Sequence, residues 1–230
     1  MIAVAGGAGN LGPTVVRRLA EDGSRTCVCG RDQAGLDKLE AEIPTPIETD
    51  VVDLLDAAAT RAWAADLAER HGGRVDGLVH LVGGWRGGTP IEDAPLEDWD
   101  WLSGLLVRTV QHATQALAPA LMAGGHGRFV LVSTAQAQSP THPNASYAAA
   151  KAASEAWTLA LADRFKRTGA TANIVVVGGA IITPEMRAES PDKDFSSGTP
   201  AEEIAEAIAY LCSDAASSMN GQRVTLRGAA

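Results

Sequence analysis

Six apolar runs of strand length recur along this 230-residue chain, at Ile2–Ala5, Thr26–Cys29, Gly77–Val82, Arg128–Val132, Thr171–Val177 and Arg223–Leu226. Between them lie segments of helical periodicity near Thr14–Glu21, Ala34–Glu42, Ala57–Arg70, Leu96–Met122, Ala148–Lys166 and Ala201–Cys212. Strands that are apolar on both faces need helices on both faces, and strands alternating with helices pair in parallel. The pattern therefore predicts the α/β class: a doubly wound parallel sheet in three layers, the Rossmann fold, with residues 1–230 forming one domain. With 46% of its residues apolar, the chain has enough material for such a core. Gly83–Pro90 and Thr183–Pro200 are the two stretches that read as long loops.

Charge and cysteine usage narrow the function classes. Nineteen basic against 28 acidic residues give a net charge of -9, without a block of one sign, which excludes a nucleic-acid or anionic-membrane surface. Cys27, Cys29 and Cys212 form neither a disulfide framework nor a metal pattern, so buried thiols and no metal are expected. No apolar run approaches the ~18 residues that span a bilayer. Met1–Ala5 is strand-like and lacks the basic segment and apolar core of a signal peptide, which points to the cytoplasm.

The first strand runs into Gly6-Gly7-Ala8-Gly9-Asn10-Leu11-Gly12, with Pro13 pre-set for a helical turn. Glycines there let the backbone turn sharply and approach a pyrophosphate, whose charge meets free amides at a helix N-terminus. Asn10 tolerates a left-handed backbone, so the turn survives a non-glycine at that position. Dinucleotide preference is read at the tip of the second strand, Cys29-Gly30-Arg31-Asp32. Arg31 can meet a 2′-phosphate and favours NADP, while Asp32 keeps NAD as an alternative. Asp50-Val51, after a third strand, can meet adenine, although a helix-capping aspartate is an equal use, with Asp53 competing for it.

Tyr147-Ala148-Ala149-Ala150-Lys151 sets a phenol and an ammonium four residues apart at the head of a helix, on one face. A neighbouring cation favours the phenolate and lowers the phenol's pKa from its usual ~10, which makes a proton donor and acceptor near neutral pH. Ser133 and Thr134 end the fifth strand 14 and 13 residues earlier, and one of the two hydroxyls can hold a substrate carbonyl. Trp85, in the glycine-rich loop after the fourth strand, is a candidate wall of the substrate pocket. His80, just before it, reads as a packed, hydrogen-bonded histidine.

Together these residues resemble the short-chain dehydrogenase/reductase family over nearly the whole chain. The resemblance implies that Gly6 to Gly12 is the cofactor turn, Asp50-Val51 the adenine contact and Tyr147 the general acid or base. It further implies that Lys151 binds the nicotinamide ribose and tunes the phenol, that Thr134 stands in for the family's serine, and that Thr183 contacts the nicotinamide amide. The tail from Asp214 to Gly228 is similar to the family's last strand. Three places depart from the family. His80-Leu81-Val82-Gly83 replaces Asn-Asn-Ala-Gly, with Val82, Gly83 and Gly84 still expected along the cofactor. Leu106 stands where many members carry an asparagine that anchors a relay water, and Gly178-Gly179 replaces Pro-Gly. Gly83-Gly84-Trp85-Arg86-Gly87-Gly88, and Thr183-Pro184 followed by Asp194 to Pro200, are similar to dihydropteridine reductase, an atypical member that reduces an activated imine.

The reading is an NAD(P)-dependent oxidoreductase that moves hydride between nicotinamide and a carbonyl or alcohol, with NADP favoured. Two alternatives stay open: reduction of an activated imine in the manner of dihydropteridine reductase, and a catalytically weak NAD(P)-binding sensor. The expected partners are a small-molecule substrate and further copies of the chain, as a homodimer or homotetramer formed through the long helices.

Overall fold

Each strand forms where β-branched or small apolar residues run without a helical period, and burial is complete where neighbours cover both faces. In the computed structural model, which describes residues 1–226, β1 (Ile2–Ala5), β4 (Gly77–His80), β5 (Arg128–Thr134) and β6 (Thr171–Val177) are buried at every position. Together with β2 (Thr26–Gly30), β3 (Glu48–Val51) and β9 (Arg223–Thr225) they make one parallel sheet of order β3-β2-β1-β4-β5-β6-β9. Ile2 pairs with Thr26 on one side and Gly77 on the other, so β1 and β4 are neighbours at the point where the strand order reverses. In open sheets of this kind the ligand crevice lies at that point, outside the carboxyl ends of the strands.

Two helix layers cover the sheet. On one face Val15, Val16 and Leu19 of α1 (Gly12–Glu21), Leu36 and Leu39 of α2 (Gln33–Glu42) and Ile204, Ile208 and Leu211 of α8 (Ala201–Cys212) pack on Val4, Val28, Val79, Val130 and Val175. On the other, Trp63 and Leu67 of α3 (Ala57–Arg70), Val110 and Leu117 of α5 (Thr109–Ala123) and Phe165 of α6 (Ala145–Phe165) pack on Ala3, Cys27, Leu78, Phe129 and Ile174. Spacings of three and four put each set on one helix face, and each large side chain so buried contributes roughly 1.5–3 kcal/mol. Cys27 and Cys29 are buried free thiols, as their strand position implies.

The structure corrects three expectations about elements. Asp50-Val51 does not follow the third strand but ends it: the strand is Glu48-Thr49-Asp50-Val51, polar because it is an edge strand half open to water. The segment from Leu96 is not one α-helix: α4 (Leu96–Leu102) passes through a π-helical stretch, Ser103–Arg108, before α5 begins. The second long loop holds structure of its own, since β7 (Ile181–Ile182) pairs with β8 (Thr199–Pro200) and α7 (Pro184–Glu189) lies between them, capped by Thr183. The tail that resembles the family's last strand contains β9, Arg223–Thr225; residues 227 and 228 lie outside the described residues. Among the described residues no helix is long and apolar enough to cross a membrane, and no group of three or more His, Cys, Asp or Glu side chains is placed to hold a metal.

Candidate active site

The turn after β1 is built by its glycines. Gly6 has φ +77°, a conformation that a side chain would strain, and a Cβ there would come within 2.8 Å of the Val82 amide nitrogen. Gly9 donates to the Gly6 carbonyl at 3.1 Å and Gly12 to the Gly9 carbonyl at 2.9 Å, closing two successive short turns. A methyl on Gly12 would overlap the Gly7 carbonyl, which explains why a glycine opens α1. The result leaves the amides of Ala8, Asn10 and Leu11 without an acceptor among the described residues, at the N-terminus of a ten-residue helix. Free amides on a positive helix end fit the pyrophosphate of a dinucleotide.

A cleft of about 1130 Å³ starts at this turn and runs across the carboxyl ends of the strands. Arg31 and Asp32 line one end, and they are not equivalent. The Asp32 carboxylate accepts from the Gly35 amide at 2.9 Å and so caps α2, whereas Arg31 makes no ion pair among the described residues. The middle is lined by Gly9, Asn10, Leu11, Val82, Gly83 and Gly84, and the far end by Ser133, Thr134, Trp85, Tyr147 and Lys151.

Tyr147 lies in the first turn of α6, and Lys151 follows one turn later on the same face, as the spacing predicts. Lys151 is 7% exposed and donates from Nζ to the Val132 carbonyl at 2.9 Å. Burial pushes its pKa down to about 8, a fall that the Glu155 carboxylate opposes. The expected lowering of the phenol is not met. Burial raises the Tyr147 pKa instead, because removing the phenolate from water outweighs a cation turned toward the sheet. Tyr147 therefore stands as a protonated phenol.

The two neighbouring hydroxyls are separated by strand alternation. Ser133 donates to Glu155 Oε1 at 2.6 Å and is committed to it. Thr134 only accepts, from the Gln136 amide at 3.4 Å, so its proton has no acceptor among the described residues. Gln136 beside it also lines the cleft, with its Oε1 buried and without a partner among the described residues, a feature that sequence reasoning missed. Trp85, 58% exposed, is steadied by an indole bond to Asn144 Oδ1 at 3.2 Å, and Gly88 donates to the Pro143 carbonyl at 2.7 Å. These contacts tie the loop to the start of α6, within a turn of Tyr147. Arg86 lies over the Trp101 ring at 4.3 Å and pairs with Asp98, fastening the loop to α4 as well.

Four expected site residues do not line the cleft. Gly12 is consumed by packing on Gly7, and Thr183 accepts from the Met186 amide at the head of α7. Asp50 and Val51 belong to β3 itself, and the Asp50 carboxylate is turned into a cluster with Cys27 at 3.0 Å, Trp63 at 3.0 Å and Arg70 at 2.6 Å. Val52 and Asp53, one step further on, face the cleft in their place, and Asp56 rather than Asp53 caps α3. His80 is buried as expected, but neither ring nitrogen has a partner among the described residues. Burial and the nearby Lys151 charge lower its pKa to about 3, so it is neutral.

Residues 6–228 match the family pattern described as enoyl-(acyl carrier protein) reductase. Gluconate 5-dehydrogenase of Gluconobacter oxydans is 28% identical over 237 residues, covering 98% of this chain and 92% of that one. The structure of acetoin dehydrogenase from Enterobacter cloacae superposes with a TM-score of 0.85 at 26% identity, over 99% of this chain and 94% of that one. A short-chain type dehydrogenase/reductase from Mycobacterium ulcerans shares the fold, with a TM-score of 0.89 at 24% identity over 99% of this chain and 88% of that one.

Proposed function

The chain belongs to the short-chain dehydrogenase/reductase family, and from that premise we propose that it is an NADP-dependent reductase of a carbonyl or activated imine, with Tyr147 as proton donor. The observation that carries this reading is that the Tyr147 and Lys151 pair lines the same cleft as the glycine turn. When bound, a reduced nicotinamide supplies the hydride.

The chain's own residues supply the rest. Ala8, Asn10 and Leu11 amides hold the pyrophosphate, and Lys151 orients the adjoining ribose. The free Thr134 proton holds the substrate's oxygen or nitrogen. Tyr147 gives its proton to the atom that gains charge as hydride arrives next to it. A phenol kept protonated by burial suits reduction, which consumes a proton. The relatives named for gluconate and acetoin support a carbonyl or alcohol pair, while the Gly83 to Gly88 loop, like that of dihydropteridine reductase, supports the imine.

NADP preference rests on Arg31, which makes no ion pair among the described residues, beside an Asp32 occupied as a helix cap. Replacing Arg31 with alanine is expected to weaken NADPH binding by ~10- to 100-fold, from the ~1.5–3 kcal/mol of a charged hydrogen bond, with NADH binding unchanged. Calorimetry with both dinucleotides measures this, and an equal loss for both would assign Arg31 no part in the choice. NADPH oxidation followed with a panel of carbonyls and quinonoid dihydropterins tests the activity itself; oxidation with none of them would leave a dinucleotide-binding sensor as the better reading.

A further inference from the structure

Glu155 is 5% exposed and sits one helical turn beyond Lys151 on α6, so Tyr147, Lys151 and Glu155 form a single stripe against the end of β5. Both of its oxygens are engaged. Ser133 Oγ donates to Oε1 at 2.6 Å, Arg223 Nε from β9 donates to Oε2 at 2.8 Å, and Arg223 Nη2 reaches Oε1 at 3.3 Å. A buried ion pair is not needed for stability, since apolar residues of similar volume commonly serve packing as well or better. Here the chain brings a carboxylate, a guanidinium 68 residues away and a strand hydroxyl together beneath the cleft.

What lies beside this cluster is Lys151, withdrawn from water with the Val132 carbonyl as its acceptor. Burial alone favours the neutral amine, which cannot act as the ribose-holding cation. We propose that Glu155, clamped by Arg223 and Ser133, is the positioning residue that keeps Lys151 protonated. The inference rests on the reading above, in which Lys151 faces the nicotinamide end of the site.

The other titratable groups around Lys151 do not supply that negative charge. His80 on β4 is neutral, and Tyr147 on α6 is a protonated phenol. Arg223 on β9 is a cation already bound to Glu155, and the π-helical segment presents Leu105 and Leu106. Glu155 is the charge that opposes the effect of burial on Lys151.

The test follows the ammonium directly in the dinucleotide-free protein. Lys38, Lys151, Lys166 and Lys193 are the chain's four lysines, so [ε-¹³C]lysine NMR gives a spectrum in which Lys151 is assignable by its loss in Lys151→Arg. Glu155→Gln keeps the shape and one acceptor oxygen while removing the charge. It is expected to move the Lys151 midpoint down by about one pH unit, a tenfold change in protonation, with Glu155→Asp restoring most of it. Should Glu155→Gln fail to fold by circular dichroism, the double variant Glu155→Met with Arg223→Met is read against Arg223→Met alone, so that only the carboxylate differs, and a downward shift between the two is expected again. An unmoved Lys151 midpoint in either folded variant overturns the proposal. Because no dinucleotide is present, failure to bind NADPH would sink the functional reading without altering this result.

Discussion

Tyr147→Phe is expected to abolish turnover, by at least the ~10²- to 10⁴-fold that a positioned general acid contributes, while leaving NADPH affinity and the melting temperature unchanged. The separation of effects follows from the structure. The Tyr147 hydroxyl makes no hydrogen bond among the described residues, so its removal orphans no partner. Its ring, packed against Leu102, Leu106 and Ala150, is kept by phenylalanine. The dinucleotide's predicted contacts lie at the glycine turn, Arg31 and Lys151, none of which the substitution touches. Steady-state oxidation of NADPH beside calorimetry of the same variant reads both halves. Residual activity within tenfold of the parent would remove Tyr147 from the chemistry.

Gly12→Ala is expected to do the opposite and destroy binding by destroying the turn. The added methyl has no room, because it would overlap the backbone carbonyl of Gly7, and backbone cannot swing aside as a flexible side chain can. Either α1 lifts from β1, which exposes Val15, Val16 and Leu19, or the turn reopens and the amides of Ala8, Asn10 and Leu11 lose their common direction. The stability cost should exceed the ~1–3 kcal/mol usual for overpacking, and NADPH binding should fall below detection. Gly23→Ala is the control. Gly23 also has a positive φ, +77°, but an added methyl there meets no atom within 4 Å, so only the left-handed strain of ~1–2 kcal/mol is expected, with binding intact. Urea melts and calorimetry of the two variants separate close approach from backbone strain; equal effects would show that the contact with Gly7 is unimportant.

Local chemistry in the sequence was enough to place the turn and the Tyr147 and Lys151 pair, because each depends on residues within one turn of helix or one βα junction. The buried strands were legible for the same reason: Val4, Val79, Val130 and Val175 sit in runs that no helix period explains. The bounds of the third strand were not, since an edge strand half open to water carries Glu48 and Asp50 for pairing with Arg25, Arg70 and His71. That polarity also concealed which way Asp50 points. Alternation along the strand turns it to Trp63 and Arg70, away from the cleft, and no spacing rule reveals a side chain's face on an edge. In α7 the signals were present in Thr183-Pro184, a capping residue followed by a helix-opening proline, but the surrounding Gly, Ser and Pro outweighed them. The direction of the phenol's shift was missed because proximity to a cation can be read from spacing, whereas depth of burial cannot. Glu155, Ser133 and Arg223 meet only through the sheet, with β5 and β9 on either side of β6 and Glu155 reaching both from α6.

A single structure of the protein with NADPH bound tests the central claim most directly. It should show the pyrophosphate on the amides of Ala8, Asn10 and Leu11, the 2′-phosphate at Arg31, and the nicotinamide edge beside the Tyr147 hydroxyl with its ribose on Lys151. A dinucleotide lying elsewhere, or lying in the cleft with its nicotinamide turned away from Tyr147, would contradict the assignment of this cleft as the reducing site.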